Sequence, residues 1–151
     1  MSTRTKILVA VAALAVLVLV LARGEEPSEQ AQALRGDPMA SYTPPGGTLI
    51  QTESQNEGTS LGKPVFARYS RLFEVRSPAR QLEQARTAAT AAGWVLEDPG
   101  FELGGSTSFI AAKRLATGGA ELTVTLYTGA RLLPRGVRPP ALGVSLRHRS
   151  A

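Results

Sequence analysis

The side chains that could carry acid–base or metal chemistry are few and scattered. The sequence contains one histidine, His148, and no cysteine. A metal site or a Ser–His–Asp triad would therefore depend on His148, which lies between Arg147 and Arg149. A hydrolytic site would have to be assembled from distant residues such as Glu97, Glu102 and His148. Because no pair of carboxylates has a spacing typical of acid–base catalysis, we predict no catalytic residue, no metal site and no cofactor.

One glycine-containing segment superficially matches a phosphate-binding loop. Gly58–Lys63 reads GTSLGK, but the pattern requires four residues between the two glycines and a Ser or Thr after the lysine. Only three residues separate Gly58 from Gly62, and Pro64 follows the lysine. The segment therefore predicts a tight loop that leads into a strand, not a nucleotide site.

A basic, proline-rich loop, Gly129–Ala141, is the best candidate for a functional surface. Arginine beside aliphatic side chains on a restrained loop suits the recognition of acidic protein or lipid groups. The alternative is a connection that happens to be basic and packs its leucines on the domain. The candidate partner-binding residues are Arg131, Leu132, Leu133, Arg135 and Arg138.

The first 22 residues predict where this loop is presented. Arg4 and Lys6 precede an unbroken apolar run of 16 residues, Ile7–Ala22. As a helix this run spans about 24 Å, slightly less than the hydrocarbon core of a bilayer and slightly more than a signal-peptide core. We predict a transmembrane anchor over residues 7–22, with a cleaved signal as the alternative.

The distribution of positive charge predicts the orientation of the anchor. Because the amino-terminal side is basic and carries no acid, residues 1–6 are expected to be cytoplasmic and the remainder extracytoplasmic. If the signal is cleaved after Ala22, the remainder is secreted. The membrane is thus the first expected partner, through Ile7–Ala22.

The net charge of +5 is divided unevenly along the chain. Residues 23–62 carry a net charge of −4 and residues 63–151 a net charge of +7. A positive domain outside the membrane would be attracted to anionic lipid or cell-wall polymer. Nucleic acid is not an expected partner on that side. The alternative is that the arginines form an ordinary solvated surface.

Residues 23–47 predict a flexible acidic stalk. The segment is polar, and Pro44–Gly47 (PPGG) disfavours regular structure. A short helix over Ser28–Leu34 is compatible with this composition. The folded domain is therefore expected to begin near Thr48 and to cover residues 48–149.

Alternating apolar and polar residues predict the strands of the domain. The clearest alternation lies in Val65–Arg76, Ala120–Thr128 and Leu142–His148. Ser77 followed by proline predicts a helix start, and Gly93 predicts its end. The order β-β-α-β-β-β-β predicts a two-layer α+β domain, with one helix across one face of a mainly antiparallel sheet. Shorter strands are predicted at Thr48–Ser54, Trp94–Glu97 and Phe109–Leu115.

Two residues stand out against this pattern. Arg71 interrupts the apolar face of the strand over Val65–Arg76, so a bulge or a sheet edge is expected there. His148 ends the last predicted strand, and we expect it to lie at a fraying end.

Gly58–Val75 (GTSLGKPVFARYSRLFEV), Ala91–Trp94 (AAGW) and the closing strand resemble small membrane-anchored extracytoplasmic proteins of high-GC Gram-positive bacteria. Many of these proteins carry an N-terminal anchor and have no assigned activity. The resemblance implies a location and a domain type, and it supplies no catalytic residues.

These observations predict a single-pass membrane protein with a non-catalytic binding or assembly domain at the cell envelope. Its expected partner is an envelope or membrane protein that contacts the Gly129–Ala141 loop. Two alternatives remain open at this stage: an envelope hydrolase with a site outside the known motifs, and an electrostatic binder of anionic lipid or cell-wall polymer.

Overall fold

The structure, a computed structural model, describes residues 26–149. The predicted cytoplasmic residues 1–6 and the predicted anchor over residues 7–22 lie outside the described residues. Within residues 26–149 no helix is both long enough and apolar enough to cross a membrane.

The described chain is a two-layer α+β domain in which helices cover one face of an antiparallel sheet. The α-helices are α1 (Glu29–Arg35) and α2 (Gln81–Ala91), and 3-10 turns span Pro38–Ala40 and Ala130–Leu132. The predicted fold class and mainly antiparallel sheet are confirmed. Helix α2 is the one predicted across the sheet, and α1 lies where the sequence was compatible with a short helix over Ser28–Leu34. The strands are β1 (Thr48–Gln55), β2 (Gly58–Ser60), β3 (Lys63–Val65), β4 (Arg68–Glu74), β5 (Val95–Glu102), β6 (Ser106–Leu115), β7 (Gly118–Tyr127) and β8 (Ala141–His148).

Six strands form the main sheet in the order β1-β4-β8-β7-β6-β5, and all neighbours are antiparallel. Strands β5 to β8 are successive neighbours, and β8 also pairs with β4. The β2–β3 hairpin is separate from this sheet.

The core lies between the helices and one face of the sheet. The predicted alternation holds in β4, β7 and β8, so their inward side chains form rows across the strands. Phe73 pairs with Leu142, which pairs with Leu126, and all three are buried. Burying one such side chain contributes about 1.5–3 kcal/mol relative to leaving it in water. This face is therefore occupied by the core.

The segment predicted as a flexible stalk is folded over its described residues. Ser28 caps α1, since its hydroxyl accepts a hydrogen bond from the first turn (3.2 Å). Leu34 and Met39 are buried in the core. Helix α1 and the following 3-10 turn pack against β4 and β8. The prediction of a stalk over residues 23–47 is therefore corrected for residues 26–47, because tertiary burial orders a segment whose local composition is that of a linker.

A buried ion pair fastens these N-terminal turns to the sheet. The Asp37 carboxylate accepts hydrogen bonds from the Met39 backbone N–H (2.9 Å), Trp94 Nε1 (3.0 Å) and Lys113 Nζ (2.6 Å). Its side chain is 1% exposed. Lys113 Nζ also donates to the carbonyl of Ala92 (2.6 Å). The carboxylate thus links the 3-10 turn, the end of α2 and strand β6.

Helix α2 begins later than predicted and ends as predicted. The chain enters it through Arg80, whose φ of 64° is left-handed and whose side chain makes no cap. The Gln81 amide donates to the carbonyl of Ser77 (2.9 Å), so the expected cap at Ser77 is replaced by a turn. Gly93, with φ +84°, lets the backbone N–H of Trp94 donate back into the last helical turn (3.0 Å).

Arg71 neither forms a bulge nor marks a sheet edge. Strand β4 pairs with β1 on one side and with β8 on the other without a break at this residue. The guanidinium donates to the carbonyls of Ala40 and Tyr42 (3.2 Å each) and lies 4.8 Å from the ring centroid of Phe73. The charge of Arg71 on the apolar face is thus explained, since its guanidinium holds the irregular segment before β1.

The two edges of the main sheet differ in regularity. Strand β5 contains Pro99 and shifts register against β6 twice, whereas β1 shifts register against β4 once, after Leu49. The predicted loop over Asp98–Ser106 is therefore largely an irregular edge strand. Proline is tolerated there because an edge position does not require its missing N–H.

Candidate binding groove

The face of the sheet opposite the helices carries a groove of about 180 Å³. Its floor is formed by outward residues of β4, β7 and β8, and its walls by β1 on one side and the Gly129–Ala141 loop on the other. The floor residues of β7 and β8 are half-buried and their inward neighbours are buried, whereas Arg68, at the start of β4, is exposed. Its lining includes Glu53, Arg68, Thr125, Tyr127, Leu132 and Gly143.

Hydroxyl groups line the floor of the groove, and local hydrogen bonds hold two of them in place. Thr125 Oγ1 lies 2.8 Å from Ser108 Oγ, and Arg68 Nε donates to Ser145 Oγ (3.3 Å). Ser70 and Thr123 add two further hydroxyls. The groove therefore presents oriented donors and acceptors beside aliphatic surface, a combination that suits a ligand with both polar and apolar groups.

Gly143 lies in the floor of the groove and has no side chain to fill it. The position lies in β8 beside Thr125, and the Tyr127 ring lies across it. A Cβ atom at this position would approach Tyr127 Cε2 to 3.3 Å. The absent side chain thus gives the aromatic ring room to lie against the backbone, and it leaves space above the floor.

The predicted partner-binding loop forms one rim of this groove. Leu132, which is 46% exposed, lines the groove together with Pro134. Leu133 is half-buried, while Arg131, Arg135 and Arg138 are exposed. None of the ion pairs found among residues 26–149 involves these three arginines. The loop therefore places uncompensated positive charge next to the groove.

Both ends of the loop are tied to neighbouring turns. The backbone N–H groups of Thr128 and Gly129 each donate to the carbonyl of Gly105 (3.0 Å). At the other end the Val75 backbone N–H donates to the carbonyl of Pro140 (3.2 Å). Restrained ends reduce the conformational entropy that the loop would lose on binding a partner.

The residues considered for hydrolytic chemistry are not brought together. Glu97 forms an ion pair with Arg149, whereas Glu102 pairs in register with Thr107 at the other end of β5. His148 points to neither carboxylate, because its Nε2 lies 3.0 Å from the carbonyl oxygen of Thr117. The three side chains therefore belong to three separate environments.

The expectation that His148 lies at a fraying strand end is wrong. It is 4% exposed, and its backbone N–H donates to the carbonyl of Ala67 (2.9 Å). Its ring packs against the β6–β7 turn, where a Cβ atom on Gly118 would approach Cε1 to 3.0 Å. The residue therefore closes the end of the sheet.

A network of ion pairs crosses β5, β7 and β8 away from the groove. Arg149 donates to both carboxylate oxygens of Glu97 (3.0 and 2.7 Å) and to Glu121 (2.6 Å). Arg147 donates to the other oxygen of Glu121 (3.1 Å). Hydrogen bonding from Arg149 holds the pKa of Glu97 below its usual range, and these carboxylates raise the pKa of Arg149. All four charges are paired with each other, so the network offers no free charge to a ligand.

The GTSLGK segment is a hairpin rather than a phosphate loop. It forms strands β2 and β3, and β4 follows where a phosphate loop would lead into a helix. Among residues 26–149 no group of three or more Asp, Glu or His side chains is arranged to hold a metal ion.

The sequence had identified the loop but not the floor of the groove. The alternation of β4, β7 and β8 predicts which strand face is buried, but it does not show that Ser70, Thr123 and Ser145 lie side by side on the other face. The available signal was their type, since the outward positions in the middle of three neighbouring strands are mainly Ser and Thr, while the charged outward residues lie toward the strand ends.

Comparison with known protein families, with curated proteins and with solved structures finds no match for this chain.

Proposed function

We propose that this chain is a single-pass membrane protein that presents a non-catalytic binding domain at the cell envelope, on the extracytoplasmic side. The observation that carries the proposal is the groove on the open sheet face, with three arginines on its rim that join none of the ion pairs found within residues 26–149. The apolar run Ile7–Ala22 and the basic residues before it support the membrane location and the orientation.

The chemistry of the groove favours an acidic segment of an envelope or membrane protein as the ligand. An extended segment could place apolar and polar side chains over the floor beside Leu132. Its carboxylates would then meet Arg131, Arg135 and Arg138, which can form bidentate hydrogen bonds with them. Arg68 and Glu53 at the opposite wall provide one charge of each sign. These two side chains would favour segments whose own charges near β1 are complementary to them.

Crosslinking in cells followed by co-purification of the intact, membrane-extracted chain tests this proposal. The test variant is Arg131→Glu with Arg135→Glu. The matched control is Arg80→Glu with Arg114→Glu, which changes the net charge equally at exposed positions outside the groove. We expect one stoichiometric membrane or envelope protein with the wild type and the control, and its loss with the loop variant.

Three other results would contradict the proposal in different ways. An unchanged partner set in the loop variant would remove the loop from the binding surface. Equal loss in both variants would indicate a general electrostatic attraction, which high salt would weaken and which anionic vesicles would reproduce. Turnover in a screen of envelope substrates would favour the hydrolase alternative.

A further inference from the structure

The β2–β3 hairpin exposes an apolar side chain in an unfavourable conformation. Leu61, at its tip, is 100% exposed and has a φ of +50°, and Gly62 follows with φ +76°. Two-residue turns with both residues in this region favour Asn-Gly, because leucine clashes with its own backbone there. A leucine at this position is therefore unfavourable both for the turn and for hydration, which points to a role outside folding.

The base of this hairpin is fastened to the chain that enters the domain. The backbone N–H of Ser28 donates to Asn56 Oδ1 (3.0 Å), and Asn56 Nδ2 donates to the carbonyl of Glu26 (3.1 Å). The Ser28 hydroxyl also donates to the Glu57 carboxylate. The position of the hairpin is thus fixed relative to Glu26.

Little chain separates Glu26 from the apolar run. Residues 23–25 are the only connection between Ala22 and Glu26, and a fully extended connection spans at most about 14 Å. The hairpin extends five residues from Asn56 to Leu61, which corresponds to roughly 16 Å. If the run is anchored in a bilayer, the tip is therefore within reach of the bilayer surface.

We propose that the β2–β3 hairpin is a membrane-contact element whose Leu61 side chain enters the interfacial region of the bilayer. This inference rests on the proposed anchoring through Ile7–Ala22. Exposed Lys63 lies beside the tip, where its ammonium group can contact lipid phosphates. Glu26 and Glu57 lie at the base and oppose a strongly anionic surface. The contact between the hairpin and the bilayer is therefore mainly apolar, and its strength does not depend on salt.

The absence of cysteine permits a direct test with single-cysteine labelling of the full chain. Leu61→Cys, carrying an environment-sensitive fluorophore, is reconstituted into phosphatidylcholine vesicles with and without lipids brominated in their acyl chains. We expect blue-shifted emission that the brominated lipid quenches and that high salt leaves unchanged. Gly58→Cys, where an added Cβ meets nothing within 4 Å, should show weaker quenching because it lies nearer the base.

Leu103→Cys is the matched control for an exposed leucine elsewhere. It is 65% exposed in the β5–β6 turn, and its label should behave as in water. Alkaline extraction of the same vesicles tests the anchor separately, and release of the chain would refute the anchoring itself. Water-like, unquenched emission at position 61 in a retained chain would overturn only the hairpin contact. Blue-shifted emission without lipid quenching would indicate contact with protein and would also overturn it.

Discussion

Replacing Asp37 by alanine tests whether the N-terminal turns belong to the folded domain. The substitution leaves Lys113 without its carboxylate and removes the acceptor for the Met39 and Trp94 N–H groups. Breaking a buried ion pair by removing one partner costs about 3–5 kcal/mol. Because the Lys113 side chain remains 22% exposed, we expect the lower end of this range, about 3 kcal/mol. For a domain of this size that loss corresponds to a fall in Tm of roughly 12 °C.

The assay is urea unfolding of the full chain in detergent, followed by circular dichroism and by the fluorescence of Trp94, the only tryptophan. Adding Lys113→Met to Asp37→Ala removes the unpaired charge, so the double variant should recover at least about 1 kcal/mol. Glu83→Ala, at an exposed position of α2, is the control and should change stability by less than about 0.5 kcal/mol. A cost below about 1 kcal/mol for Asp37→Ala would refute the reasoning, because the ion pair would then contribute little to fastening the segment to the core.

Two further predictions concern the groove and the ion-pair network. Gly143→Ala should weaken partner binding by about fivefold, or ~1 kcal/mol, because its Cβ displaces the Tyr127 ring, while Tm stays within a few degrees of wild type. Equilibrium binding and thermal unfolding measure the two effects, and wild-type affinity would argue against the groove. The lowered pKa of Glu97 means that its pairing with Arg149 stabilises the fold fully above the ordinary range of a glutamate and progressively less as the pH falls through the lowered pKa. Thermal unfolding against pH should therefore show the difference between wild type and Arg149→Gln shrinking in acid, and a difference independent of pH would contradict this.

The regular part of the fold could be predicted because its signals are local. Alternation in β7 and β8 predicts both the strand and its buried face, and Leu122, Val124 and Val144 are buried as expected. Gly93 predicts the end of α2, since the left-handed residue after a helix is favourable for glycine. The loop that rims the groove was recognisable from its arginines and prolines alone.

The remaining features depend on contacts between distant residues. Helix α1 is only seven residues long and gains its stability from the burial of Leu34. No local pattern in the sequence predicts that burial. The interaction between Asp37 and Lys113 joins residues 76 positions apart. The floor of the groove requires the register of three strands, of which β4 and β8 are far apart in the sequence. The candidate site was therefore predictable at its rim and not at its floor.

The unequal edges of the sheet limit how copies of this domain can assemble. Head-to-tail growth would require β1 of one copy to pair with β5 of the next, and Pro99 and the two register shifts of β5 interrupt that ladder. Pairing through β1 alone remains compatible with the geometry and joins two copies about a two-fold axis. Such a pair uses both open β1 edges, so self-association through β1 would stop at closed dimers and would not extend into fibrils.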